Sequence, residues 1–146
     1  MRTDNGGGRT ARQLDMDRIL VVEDSQEDAE AIERALARSH PMLRLEFMDR
    51  GEEVAGRLLA DSTPPGVVLL DLNMPGMSGH DVLAAVRAQP DLAAVRIVVF
   101  TTSTAPAEED ACHAAGADSY VYKPLNFDLF RTVLTGAIDY WLRSPG

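Results

Sequence analysis

Short apolar runs recur along the chain, and each is followed by a segment in which apolar residues return every three or four positions. Nearly continuous runs such as RILVVE and GVVLLD are typical of strands buried on both faces of a sheet, whereas the helical spacing indicates amphipathic helices. The predicted strands cover residues 18–23, 43–47, 66–71, 96–101 and 119–122. Strands that alternate with helices in this way predict an α/β fold with a doubly wound parallel sheet.

Five helices are predicted after these strands. The first begins after a cap at Asp24 or Ser25, and Gly116 suits the position just beyond the end of the fourth. They cover about residues 26–39, 52–60, 79–87, 107–115 and 126–142. Residues 1–16 contain three consecutive glycines and no apolar periodicity, so we expect a disordered tail there and one domain over residues 17–146.

Acidic, hydroxyl and basic side chains stand where the predicted strands end. These residues are, in chain order, Glu23, Asp24, Asp71, Thr101 and Lys123. The carboxyl ends of parallel strands meet at one edge of the sheet, where such folds place their functional crevice. We therefore expect these side chains to converge there.

This set of residues predicts a particular chemistry. Three carboxylates close together repel one another unless a cation neutralises them, and oxygen ligands without histidine or thiolate suit Mg²⁺. A carboxylate such as Asp71 can then attack phosphorus, while Lys123 and Thr101 hold the phosphoryl oxygens. Asp71 could instead simply cap the turn after its strand, but that alternative leaves the residues at the other strand ends unexplained.

Four sequence blocks at these strand ends resemble the signature blocks of response-regulator receiver domains. They are VVEDS (21–25), LLDLNMPGMSG (69–79), FTTS (100–103) and YVYKP (120–124). The resemblance covers about residues 18–142. It implies a five-stranded parallel sheet of flavodoxin-like order 2-1-3-4-5 with five helices. It also implies a two-component phosphorelay in which a sensor histidine kinase donates the phosphoryl group.

The resemblance implies a role for each matching residue. Asp71 matches the phosphoacceptor, and Asp24 and Glu23 match the acidic pair that holds Mg²⁺ (or Mn²⁺), Glu23 directly or through water. The remaining matches are Asn73 for the backbone carbonyl that completes the metal site, Thr101 and Lys123 for phosphoryl binding, Tyr120 for the aromatic switch, and Pro124 for a structural proline whose peptide bond is often cis. Asn73 and Thr102 flank the site and are expected to tune hydrolysis. Tyr120 could alternatively be an ordinary strand residue with a solvated hydroxyl.

A narrower resemblance links the chain to the small regulators paired with bacterial phytochrome histidine kinases. It rests on VEDSQEDAEAIERAL, the DLNMPGMSG block, TTS and the ending IDYWL. It implies a red-light-sensing kinase as phosphodonor. Since few residues follow position 142, we expect no output domain and a signal carried by a changed interaction surface.

Three other functions are alternatives to a phosphorylated switch. A shuttle toward a histidine phosphotransfer domain would use the same residues and stays open. A haloacid-dehalogenase-like phosphatase needs an acid/base aspartate two residues after the nucleophile, where this chain has Asn73. A phosphorylation-independent binding module is disfavoured because every expected site residue is present.

The last predicted helix carries two apolar stripes. Its first stripe, which the core requires, consists of Phe127, Phe130, Leu134, Ala137, Ile138 and Trp141. Leu129, Val133 and Tyr140 form the second stripe, together with Gly136. The second stripe packs either on a neighbouring helix of the same domain or on a partner, and we favour a homodimer through this helix.

Composition excludes several classes of function. A net charge of −9 argues against nucleic-acid binding and against association with anionic membranes. The chain has neither an apolar run long enough to span a bilayer nor the apolar core of a signal peptide, and its single cysteine, Cys112, cannot form an internal disulfide. We therefore expect a cytoplasmic protein.

Overall fold

The structure, a computed structural model, describes residues 12–143. Its strands are β1 (Asp15–Val22), β2 (Arg44–Met48), β3 (Pro65–Leu70), β4 (Arg96–Thr101) and β5 (Ser119–Tyr122). Its α-helices are α1 (Gln26–Ser39), α2 (Val54–Leu59), α3 (Gly79–Arg87), α4 (Pro106–Ala114) and α5 (Phe127–Arg143). The five strands are parallel and ordered β2-β1-β3-β4-β5, which confirms the predicted α/β fold and its strand order.

Alternate residues of the central strands face opposite sides of the sheet and build two separate cores. Ile19 and Val21 point toward α1 and α5, where they meet residues such as Leu36. Leu20 and Val22 point to the other face, which α2, α3 and α4 cover. Because both faces are buried, the strands read as continuous apolar runs rather than as alternating ones.

Local signals place the helix ends close to where the sequence predicts them. The Ser25 hydroxyl accepts a hydrogen bond from the Asp28 amide and caps α1. Gly116 follows α4 with a φ of +107°, a conformation that favours glycine. The second predicted helix is shorter than expected, because a 3₁₀ turn over Gly51–Glu53 precedes α2.

The boundary between tail and domain requires a correction. Asp15 and Met16 belong to β1 rather than to a tail, and the Arg12 guanidinium donates hydrogen bonds to the carbonyls of Leu59 and Asp61. Exposed polar residues in the first half of this strand hide its pattern, and its pairing with β3 has an irregular register there. The remainder of the predicted tail, residues 1–11, lies outside the described residues.

No helix within residues 12–143 is both long enough and apolar enough to cross a membrane.

Candidate functional site

The polar side chains predicted at the strand ends lie together at the carboxyl edge of the sheet. The hydrogen bonds between strands continue one residue past β3 and β5, and they fix the backbone of Asp71 and Lys123. The Asp71 amide donates to the Val22 carbonyl at 3.0 Å. The Lys123 amide donates to the Thr101 carbonyl at 2.6 Å. The sheet itself therefore positions the two side chains that carry opposite charges.

Three carboxylates form the most acidic part of this edge. One oxygen atom each from Glu23, Asp24 and Asp71 lies within 4.8 Å of the others. Glu23 and Asp71 are buried, whereas Asp24 is exposed and leaves one side of the cluster open to solvent. An all-oxygen set with an open side suits a hard divalent cation that keeps part of its water shell. The donor set therefore fits the predicted Mg²⁺ or Mn²⁺.

The pKa of Glu23 shows the electrostatic cost of this arrangement. Burial is the main reason that the pKa rises from 4.5 to about 7; the Asp71 carboxylate adds to the rise, and the Lys123 ammonium opposes it. A bound cation would favour the ionised form instead. A metal ion bound here below about pH 7 would therefore have to displace a proton from Glu23.

The ammonium group of Lys123 lies among three carboxylates of the site. Its Nζ lies 2.9 Å from Glu23 Oε1, 2.9 Å from Asp28 Oδ2 and 3.8 Å from Asp71 Oδ1. Burial acts to lower the pKa of Lys123, but the three carboxylates outweigh it, and the net pKa lies above the usual value. The side chain is only 6% exposed, so this ammonium serves the site and not the surface.

Asp28 is a site residue that the sequence analysis missed. It occupies the first turn of α1, whose amino end starts directly after the strand end that carries Glu23 and Asp24. The only local signal was an acidic residue three positions after the Ser25 cap, which is common at helix starts for reasons unrelated to function.

Thr101 and Tyr120 both bind the same residue, Ser103. The Thr101 side chain is fully buried, and its hydroxyl accepts a hydrogen bond from the Ser103 amide at 3.2 Å. The half-buried Tyr120 donates its hydroxyl hydrogen to the Ser103 carbonyl at 2.9 Å. A movement of Thr101 would therefore reach Tyr120 through one residue of the loop before α4.

Glu108 connects this loop to α3. Hydrogen bonds from the Ser103 side chain and from His80 hold the pKa of Glu108 below its ordinary value. His80 Nε2 lies 3.0 Å from Glu108 Oε2. The loop that Thr101 and Tyr120 hold is thus also tied to a neighbouring helix.

The remaining predicted residues border the site. The Asn73 amide donates to Asp71 Oδ1 at 3.4 Å, and Asn73 and Thr102 are both exposed to solvent. The cis form that the resemblance makes common before Pro124 does not occur, because no cis peptide is found within residues 12–143. The bond has the trans form, which is favoured for an X–Pro peptide by about 0.5–1 kcal/mol.

The fold and this site together define a receiver domain of two-component signalling. Residues 19–135 match the model of the response regulator receiver domain. The chain belongs to this family, whose members are signalling domains. This membership excludes the alternative of a haloacid-dehalogenase-like phosphatase.

Two proteins of known sequence illustrate the relationship. The chain is 35% identical over 140 residues to the probable methanogenesis regulatory protein FilR2 of Methanothrix harundinacea (strain 6Ac), covering 88% of this chain and 87% of FilR2. It is 32% identical over 137 residues to response regulator Rcp1 of Synechocystis sp. (strain ATCC 27184 / PCC 6803 / Kazusa), covering 86% of this chain and 89% of Rcp1.

Solved structures agree with this assignment. The phosphorylated cyanobacterial phytochrome response regulator RcpA superposes with a TM-score of 0.81 at 27% identity, covering 93% of this chain and 98% of RcpA. The Mn²⁺-bound form of Rcp1 superposes with a TM-score of 0.75 at 29% identity, covering 88% of this chain and 96% of Rcp1. The chain is therefore similar to phytochrome response regulators in both sequence and fold.

Proposed function

We propose that this receiver domain accepts a phosphoryl group on Asp71 from a sensor histidine kinase and signals by a change in its interaction surface. The observation that carries the proposal is the position of Asp71. Its carboxylate lies within 4.8 Å of two other carboxylates and 3.8 Å from the Lys123 ammonium. A nucleophile, a metal-binding cluster and a cation for phosphoryl oxygens thus stand side by side.

Glu23, Asp24, Asp71 and the Asn73 backbone carbonyl would hold the divalent ion. Such an ion neutralises the carboxylates and attracts phosphoryl oxygens. An Asp71 oxygen forms a bond to phosphorus while the phosphorus–nitrogen bond of the donor phosphohistidine breaks, and the histidine nitrogen leaves. Lys123 binds a phosphoryl oxygen through its ammonium group, and Thr101 binds another through its hydroxyl.

The signal would leave the site through Ser103. In the unmodified protein, the Thr101 hydroxyl accepts a hydrogen bond from the Ser103 amide. This hydrogen bond breaks when the hydroxyl turns toward the phosphoryl group. The loop before α4 then loosens, and Tyr120 loses the fixed carbonyl to which its hydroxyl donates. The surface formed by α4, β5 and α5 changes as a result.

We further propose a phytochrome kinase as the phosphodonor and a homodimer through α5. The similarity to RcpA, a phytochrome response regulator, supports the first proposal. The second is supported by the second stripe of α5, which does not pack into the core. Leu129 and Tyr140 on this stripe are 57% and 61% exposed, and Val133 is half-buried.

Incubation with acetyl phosphate and Mg²⁺ tests the proposed phosphoacceptor. We expect one acid-stable, base-labile phosphoryl adduct, detected by mass spectrometry, because acyl phosphates hydrolyse in base. Asp71→Asn should abolish the adduct, whereas the control Asp110→Asn on the exposed face of α4 should keep it. Equal labelling of the Asp71→Asn variant would exclude Asp71 as the acceptor.

A further inference from the structure

Asp28 is an acidic residue of the site that has no role in the proposed metal binding or phosphoryl transfer. We propose that Asp28 is a positioning residue that holds Lys123 toward α1 and thereby limits the rate at which Asp71 is phosphorylated. The inference rests on the proposed function, because it concerns how readily the Lys123 ammonium reaches phosphoryl oxygens on Asp71.

The distances show which carboxylates hold the ammonium. Lys123 Nζ makes hydrogen bonds of 2.9 Å to Glu23 Oε1 and to Asp28 Oδ2. Its distance of 3.8 Å to Asp71 Oδ1 is too long for a hydrogen bond. In the unphosphorylated protein, the ammonium therefore makes its hydrogen bonds to Glu23 and Asp28, whereas its contact with the nucleophile is a longer ion pair.

Asp28 and Glu23 both bind Lys123, but they differ in their relation to the metal-binding cluster. Glu23 belongs to the carboxylate cluster that fits a divalent ion, whereas Asp28 is not a member of that cluster. Among the described residues, the side chain of Asp28 has Lys123 as its ion-pair partner. When a metal ion engages Glu23, Asp28 remains as the acceptor that retains the ammonium.

The backbone of Asp28 is fixed at the start of α1, which keeps its carboxylate within reach of Lys123. Its amide hydrogen binds the Ser25 hydroxyl at 3.2 Å in the cap of α1. To reach a phosphoryl oxygen on Asp71, the ammonium must therefore loosen its bond to Asp28. This competition slows the step in which phosphoryl charge develops beside Asp71, since positioned cations are the main source of stabilisation in phosphoryl transfer.

A purely structural role for Asp28 makes a different prediction. An acidic residue in the first turn stabilises a helix through the helix dipole, and its loss lowers stability slightly without changing phosphorylation. Glu27 is a matched control, because it lies in the same turn, is exposed and carries the same charge. Glu27→Gln removes one negative charge near the site and leaves the bonds of Lys123 intact.

The test measures the initial phosphorylation rate of the full chain against acetyl phosphate concentration in excess Mg²⁺. Asp28→Asn should raise the maximal rate about two- to fivefold, the range expected for a partly exposed ion pair, with a smaller change in the concentration for half-maximal rate. Asp28→Glu, which restores the carboxylate, should bring the rate back toward that of the unmodified chain. Glu27→Gln should stay within about a factor of two, as expected for an exposed charge.

Lysine labelling gives a readout that a structural role would not move. Lys123 is the only lysine in the sequence, so a ¹⁵N-lysine-labelled sample gives a single side-chain ammonium signal. Asp28→Asn should shift this signal and speed its hydrogen exchange, whereas Glu27→Gln should leave both unchanged. Thermal melting of each variant checks that it is folded.

The outcomes separate the two proposals. A rate for Asp28→Asn that is equal to or below that of the unmodified chain, in a folded variant, overturns the role of Asp28 and leaves the phosphoacceptor proposal intact. An unchanged ammonium signal in that variant overturns it as well. Failure of the unmodified chain to become labelled on Asp71 overturns the proposed function, and the role of Asp28 with it.

Discussion

At the carboxyl edge of the sheet, one ammonium group faces several carboxylates, and the charge on each group depends on the others. Lys123 offsets the repulsion between Glu23 and Asp71, and its ammonium is shared with Asp28 outside the metal cluster. Truncation of Lys123 would leave two buried carboxylates side by side without that ammonium. At the scale of single residues, the site therefore depends on proton and metal occupancy as much as on geometry.

Metal affinity should depend on pH through Glu23. Because burial raises the pKa of Glu23 to about 7, the metal ion must displace a proton from this carboxyl below that pH. We expect Mn²⁺ affinity, measured by calorimetry, to rise up to about tenfold per pH unit from pH 6 and to level off above pH 8. Glu23→Gln should bind Mn²⁺ more weakly and without this dependence, and a constant affinity in the unmodified chain would contradict the raised pKa.

The same shift has a defined sign for stability. Between pH 4.5 and about 7 the folded, metal-free protein binds more protons at Glu23 than the unfolded chain does. Its free energy of unfolding therefore falls as pH rises through this range. Saturation with a divalent ion should reduce the effect, because the ion favours the ionised carboxyl in the folded state.

Single residues of the site differ in how far the sequence reveals them. Asp71 and Thr101 could be predicted because each ends an apolar run, and Lys123 because it closely follows one. Asp28 could not, because its partner Lys123 lies 95 residues away and no local pattern connects them. The shared role of Ser103 likewise depends on hydrogen bonds that only the folded loop creates.

The Arg87 side chain connects several secondary-structure elements at the amino edge of the sheet. Arg87 at the end of α3 donates hydrogen bonds to the carbonyls of Gly116, Leu92 and Val95. Its guanidinium also pairs with Asp118 at 2.9 Å. The start of β4 and the loop before β5 are therefore fixed far from the acidic cluster.

Arg87→Ala should destabilise the fold. The substitution removes one guanidinium from three carbonyls and from the Asp118 carboxylate, which should cost about 2–4 kcal/mol in the free energy of unfolding. Asp118 still accepts from the Ile97 amide, and the Leu92 carbonyl still accepts from the Val95 amide. Urea denaturation measures this change, and the exposed Arg38→Ala in α1 serves as a control with an effect of at most about 0.5 kcal/mol. A loss no larger than that of the control would show that Arg87 is replaceable.

The sequence predicts the bounds of a strand correctly where its apolar run is uninterrupted. The apolar run of β4 gives the observed bounds, Arg96–Thr101, because both faces of the strand are buried. The start of β1 was missed because Asp15 and Asp17 interrupt the run. The isomer of the bond before Pro124 does not follow from the sequence, because it depends on the whole surrounding loop.

Helix α5 presents one face to the core and another to solvent. Phe130, Leu134 and Ile138 are buried in the core beside α1. The exposed second stripe is continuous with Trp141, whose ring meets that of Tyr140 in an edge-to-face contact at 4.9 Å. This face is apolar and aromatic, the chemistry that a symmetric partner helix requires.

Charged substitutions on this face should break the proposed homodimer. We expect the unmodified chain to sediment as a dimer at high micromolar concentration, and Leu129→Asp or Tyr140→Asp to raise the dissociation constant about tenfold or more, as at central interface residues. Leu125→Asp is the control, since this residue is 94% exposed and precedes the helix. A clean monomer for the unmodified chain would exclude this interface.

The burial of Lys123 has a practical consequence for labelling. Since this lysine is the only one in the chain and its side chain is 6% exposed, amine-reactive reagents find no accessible lysine on the folded protein. Dyes, biotin esters and other amine-reactive reagents should therefore leave Lys123 of the folded protein unmodified. Because the described helices contain no lysine, their faces stay unmodified and available for binding experiments.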